Sequence, residues 1–99
     1  MAYVRIGQFT ALTDRIAELR ETYEREAIPA IRAAPGNLSA VLLQQHQASD
    51  QFLAITVWAS EADAVTYDKS GHAARTVAKV RHTFASAPVL TTYDAYGVP

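Results

Sequence analysis

Polar and apolar positions alternate along Ala2 to Phe9, with Val4 and Ile6 interleaved between Tyr3, Arg5 and Gly7. A period of two predicts a half-buried β-strand there. From about Asp14 to Ala33 the period lengthens. Ile16, Leu19, Tyr23, Ala27, Ala30 and Ile31 fall on one face of a helix, and Arg15, Glu18, Arg20, Glu21, Glu24 and Arg25 on the other. Thr13, directly ahead, offers a hydroxyl to cap an orphan backbone N–H. Glu21 and Arg25 stand four apart in the favourable order. Pro29 lies inside the pattern and, lacking a backbone donor, predicts a kink or a split last turn. Pro35-Gly36-Asn37 closes the element.

Two further runs, Leu38 to Gln47 and Gln51 to Ala59, read as strands joined by a short hairpin loop at Ala48-Ser49-Asp50. In the second run, Leu53, Ile55 and Val57 face one way, and Phe52, Ala54, Thr56 and Trp58 the other. Both sides are mostly apolar, which predicts cover on both faces. Ser60-Glu61-Ala62-Asp63 has the form of a capping box opening a helix that lasts to about Lys69. Ser70-Gly71 breaks it. A last helix is expected from His72 to about Ala85, burying Ala73, Val77, Val80 and Phe84, and Pro88 leads into a strand from Val89 to Tyr96. The order βαββαβ is the α+β, ferredoxin-like arrangement with an antiparallel sheet and helices on one face.

Composition narrows the chemistry. With 99 residues and no linker or repeat, residues 1–99 read as one domain. So short a chain has a thin core, which association would extend. Nine Lys and Arg against ten Asp and Glu leave a net charge of −1, with no basic excess to neutralise phosphates, so nucleic acid is not an expected partner. The absence of cysteine removes disulfides, thiolate nucleophiles and cysteine metal sites. His46, His72 and His82 lack ligand-like spacing, so no metal site is expected. No apolar stretch approaches the ~20 residues of a membrane span, and the first residues lack the apolar region of a signal peptide. The expectation is a cytoplasmic protein without a membrane partner.

The order of elements, the segment Ile28-Pro29-Ala30-Ile31-Arg32-Ala33-Ala34-Pro35-Gly36, the segment Trp58-Ala59-Ser60-Glu61-Ala62-Asp63-Ala64 and Ser70-Gly71-His72 together resemble the antibiotic biosynthesis monooxygenase family, within the dimeric α/β barrel superfamily. The resemblance covers nearly the whole chain. It implies a homodimer formed sheet to sheet with the helices outside. It also implies one of several activities: cofactor-free oxidation of polycyclic phenols to quinones, haem degradation, or isomerisation.

In quinone-forming relatives a tryptophan in the place of Trp58 lines the cavity between sheet and helices. Small residues at positions 54 and 56 beside a large one leave room for a ligand, so a substrate cavity is expected with Trp58, Thr56 and Ala54 as its floor and Tyr23 and Tyr67 entering from the helices. His72 and Arg75 would stand at the mouth as catalytic candidates, a near-neutral base and a cation for a phenolate. The alternatives are a core tryptophan, core tyrosines and a solvated His72. The relative with the best-defined mechanism carries an asparagine four residues before its tryptophan, where this chain has Ala54. Haem-degrading relatives place an asparagine in the first strand and a histidine nearer the tryptophan. Here that strand has no asparagine and His72 follows Trp58 by fourteen residues, so that pattern fits poorly.

Two functions are consistent with these residues. One is a cofactor-independent monooxygenase acting on a small aromatic, polyketide- or quinol-like, and using no cofactor. The other is a non-catalytic dimeric module that binds a small apolar ligand or serves a structural role.

Overall fold

The structure is a computed structural model and describes residues 1–98. Its sheet has four strands, β1 (Ala2–Thr10), β2 (Asn37–Gln44), β3 (Gln51–Trp58) and β4 (Val89–Ala95), in the order β2-β3-β1-β4. Every neighbouring pair is antiparallel. Helix α1 covers residues 16–32, α2 spans Glu61–Lys69 and α3 spans His72–Val80. This is the expected α+β ferredoxin-like fold.

Register settles which residues face the helices. Tyr3, Arg5, Gly7 and Phe9 of β1 stand opposite Trp58, Thr56, Ala54 and Phe52 of β3. Directly opposed residues share a sheet face, and Phe9, Phe52 and Trp58 are all buried, so this set faces the helices. Two core clusters fill the space between. Phe9, Ala11, Leu19, Phe52 and Val80 form one, with the Phe9 and Phe52 rings stacked at 5.8 Å. Ala27, Ile28, Ile31, Ala40, Trp58, Ala64 and Tyr67 form the other. The opposite face carries Val4 and Ile6, Leu53, Ile55 and Val57, and Val41 and Leu43. No element of the described residues covers it.

Helix α1 meets its internal proline in an unexpected way. The run Ile16–Thr22 is α-helical, Tyr23–Ala27 forms a π-turn, and Ile28–Arg32 resumes the α-helix. The Ile28 N–H reaches back five residues to the Tyr23 carbonyl. A proline cannot continue the four-residue ladder and its ring crowds the carbonyl four positions back. The wider turn just before Pro29 absorbs that misfit without breaking the helix. It also rotates the preceding residues, so the expected Glu21–Arg25 pair is not formed and Arg25 instead lies 3.6 Å from Glu26.

Other boundaries shift for local reasons. Thr13 does not cap α1, which starts behind Arg15 with no side-chain cap bond. Strand β2 begins at Asn37, whose side-chain amide donates to the Ser39 and Val57 carbonyls across a bulge. It ends at Gln44, where the side-chain amide ties down Ser49 O at 2.7 Å. Helix α3 ends at Val80 and a 3-10 turn, Arg81–Thr83, follows. Within the helix Val77 is exposed, against the expectation that it is buried, while Val80 is buried. Half of the expected capping box forms: Ser60 Oγ accepts from the Asp63 N–H at 3.2 Å, and the Asp63 carboxylate accepts from the Ser60 hydroxyl. Ser70-Gly71 breaks the chain between α2 and α3, with Gly71 at φ 83.

Candidate functional site

Trp58 ends β3 and is 1% exposed, so it is a core residue whatever else it does. Its indole nitrogen donates to the Thr56 hydroxyl at 3.0 Å. The Tyr67 ring of α2 packs over it, with centroids 5.4 Å apart. Tyr23, the first residue of the π-turn, packs against the same cluster. Burial pushes the Tyr23 phenol up to about 12, with the neighbouring Tyr67 adding to the shift. Burial raises Tyr67 as well. The Tyr67 hydroxyl is buried and has no hydrogen-bond partner among the described residues. A buried phenol without a close partner is unusual.

The aromatic cluster leads outward. The His72 ring lies almost parallel to that of Tyr67, 6.4 Å away. Arg75, one turn on, brings Nη2 to 2.8 Å from His72 Nδ1. A groove of about 340 Å³ opens here between the end of α1 and α2. Its walls are Ala33, Ala34 and Pro35 on one side and Thr66, Tyr67 and His72 on the other. Small side chains at the end of α1 and just after it leave the room, and Tyr67 forms the link between this opening and buried Trp58.

The sequence-predicted residues therefore separate into groups. Trp58, Thr56, Tyr23 and Tyr67 come together in one packed cluster, and His72 and Arg75 sit beside it at the surface. Ala54 does not join them: it packs with the other cluster, beside Phe9 and Phe52. Trp58 lies beneath Tyr67 instead of lining an open chamber.

Sequence reasoning passed over Arg5. It stands opposite Thr56 on the helix-facing side of β1. Its guanidinium forms an ion pair with Asp68 of α2 at 2.7 Å, a hydrogen bond that holds Arg5 above its ordinary pKa. This pair pins α2, and with it Tyr67, to the sheet. The available signal was parity, because Arg5 shares its strand face with Phe9. Ser70 was read only as a helix break. Its hydroxyl donates to the Tyr67 carbonyl at 2.6 Å and accepts the His72 N–H at 3.2 Å, which fixes the start of α3 against the end of α2.

The sequence model of the antibiotic biosynthesis monooxygenase family matches residues 2–79. The chain belongs to that family. None of the curated proteins matches it. Among solved structures, a protein of Nitrosomonas europaea bearing the family's name superposes with a TM-score of 0.86 at 21% identity, over 97% of this chain and 91% of that one. One from Bordetella bronchiseptica, also bearing that name, gives 0.84 at 16%, over 96% and 97%. SnoaB, a cofactor-independent oxygenase from Streptomyces nogalater solved as an asparagine-to-alanine mutant, gives 0.84 at 15%, over 98% and 95%. At these identities the likeness establishes a shared fold. Family members thus keep this sheet and helix arrangement while their side chains differ widely. Among the described residues no helix is long and apolar enough to cross a membrane, and no group of three His, Cys, Asp or Glu is placed to hold a metal ion.

Proposed function

We propose that this protein is a cofactor-independent monooxygenase that oxidises a small electron-rich aromatic, polyketide- or quinol-like, within a cytoplasmic homodimer. Residues 1–99 act as one domain. The observation that carries the reading is the Tyr23–Trp58–Tyr67 cluster, which reaches the surface through Tyr67 at a groove that His72 also lines. A mostly apolar cleft with a few polar groups at its mouth is the usual form of a small-molecule site. Family membership supports the reaction class.

The chemistry asks little of the protein. A deprotonated anthrone-type substrate reduces O2 itself. One oxygen atom enters the ring as a new carbonyl, the other leaves as water, and the CH2 carbon is oxidised while O2 is reduced. The protein supplies a dry aromatic surface, orientation, and donors for developing negative charge. Tyr67 gives the surface, backed by Trp58 beneath it. The Tyr67 hydroxyl is the donor nearest the groove, while Tyr23 and Thr56 support the cluster from either side.

Oxygen uptake with 1,8-dihydroxyanthrone tests this. One O2 consumed per anthraquinone formed, above the rate of spontaneous oxidation in buffer, is the expected result. Uptake no faster than buffer would refute it. A second reading, a dimeric module that binds a small apolar ligand, draws on Ala54 in the asparagine's place and on a Trp58 N–H already engaged by Thr56. A ligand-induced rise in melting temperature without oxygen uptake would select it.

A further inference from the structure

His72 is held from several directions. Its N–H donates to Ser70 Oγ, its carbonyl accepts the Thr76 hydroxyl at 2.9 Å, and its ring lies against Tyr67. Arg75 then closes on the ring edge, with Nη2 at 2.8 Å from Nδ1. Its guanidinium takes this path across residue 71, which is glycine: a Cβ there would lie 3.1 Å from Arg75 Nη1. The bare backbone leaves the arginine room to fold back over the helix start.

A guanidinium has donors only and stays protonated in proteins. In this contact Nδ1 must therefore be the acceptor. A neutral imidazole has one donor nitrogen and one acceptor nitrogen, so the proton resides on Nε2. We propose that Arg75 is a positioning residue which locks His72 in the Nε2–H tautomer. His72, a wall of the groove, then meets the ligand as a hydrogen-bond donor. With Nδ1 engaged and Nε2 protonated, the ring has no free lone pair and does not take the substrate's proton. The matching ligand carries an acceptor oxygen, a carbonyl or phenolate, at the groove mouth. This rests on the groove being the substrate's entry, as proposed above.

The deciding measurement is long-range 1H–15N correlation of the histidine rings at alkaline pH, where a free imidazole is neutral. His72 should show one form, protonated at Nε2. Arg75→Leu should return it to the mixed population of a free imidazole, and Arg75→Lys should restore the single form. A wild-type ring protonated at Nδ1, or identical spectra in the leucine variant, would overturn the assignment. Binding adds a second readout. 1,4-Naphthoquinone should bind Arg75→Leu more weakly by at most about twofold, because the donor tautomer keeps its share of the free population, while naphthalene, which has no acceptor, binds both proteins alike. An equal loss for both probes would also count against the arginine's role. If neither probe binds the wild-type protein, the aromatic-substrate reading fails, and the ring spectra still decide the tautomer.

Discussion

Trp58 and Thr56 stand two residues apart on one face of β3, and the indole nitrogen donates to the threonine hydroxyl at 3.0 Å. The bond resolves a conflict. Tryptophan brings a large apolar surface into the core, but its N–H needs an acceptor once buried. Period two on a strand places Thr56 where it can provide one. The same bond occupies the donor that an aromatic ligand would otherwise use.

Thr56→Val keeps the shape and removes the acceptor. A buried, unpaired N–H costs about 1–3 kcal/mol, and the urea midpoint should fall accordingly with little change in slope. Trp58→Phe in the valine background removes the unpaired donor, so the double variant should lose less than the sum of the two. Trp58→Phe alone also tests the site. If it folds and its affinity for an aromatic ligand and its oxygen uptake are unchanged, Trp58 belongs to the core alone.

The uncovered sheet face predicts association. Val41, Ile55, Ile6 and Thr91 lie in one row across the four strands, and Leu43, Val89 and Tyr93 on the same face are strongly exposed. A contiguous apolar face left uncovered in this way usually marks an interface. Ile55→Lys puts a charge at the centre of the row. A lysine buried against a second copy without a partner is strongly unfavourable, whereas on a free surface it is harmless. Sedimentation should show dimers for the wild type and monomers or insoluble protein for the variant. A stable wild-type monomer would contradict the reading.

Strand and helix order was legible because each rests on local periodicity, and a link as short as residues 45–50 can only make a hairpin. The opposed faces of β3 were legible for the same reason. What escaped was set by tertiary contact or by geometry that periodicity does not encode. The π-turn at Tyr23–Ala27 is a response to Pro29, and a proline alone does not say whether a helix bends, breaks or widens. Ala54 has the same parity as Trp58, yet it sits farther along a strand whose two ends serve different clusters. Arg5 was assigned no partner because Asp68 is distant in sequence. Val77 shares the apolar repeat of Ala73 and Val80, yet no neighbouring element of the described residues covers it.

Gly36 predicts a sharp local sensitivity. It turns the chain from α1 into β2 at φ 81, and a Cβ added there would lie 2.2 Å from Asp63 Cγ. Gly36→Ala should therefore suffer twice, through the left-handed backbone at about 1–2 kcal/mol and through displacement of Asp63. Asp63 accepts from the Ser60 hydroxyl at the capping box, so its displacement should also loosen the first turn of α2. Adding Asp63→Ala to Gly36→Ala should recover the steric part of the loss and leave the backbone part. Equal stability of the two alanine variants, single and double, would show that the collision is relieved without cost.

Tyr23 predicts a stability change at high pH, and its sign follows from burial. The phenol is raised from 10.0 to about 12 in the folded chain because burial disfavours the phenolate. In the unfolded chain it should ionise near the ordinary value for tyrosine, about 10. Below that pH both states carry the proton, and the group makes its full contribution. Between about 10 and about 12 the unfolded chain ionises first. It then binds fewer protons than the folded chain, so stability falls as pH rises. The loss is complete once the folded phenol has also ionised. Tyr23→Phe has no proton to lose. Urea midpoints of the two proteins should run parallel up to the ordinary tyrosine range and then diverge, the phenylalanine variant declining less steeply. Other alkaline transitions cancel in the difference between the two curves. Parallel decline of both curves to the top of the range would mean that Tyr23 ionises as readily folded as unfolded, and that the cluster around Trp58 is open to solvent at that position.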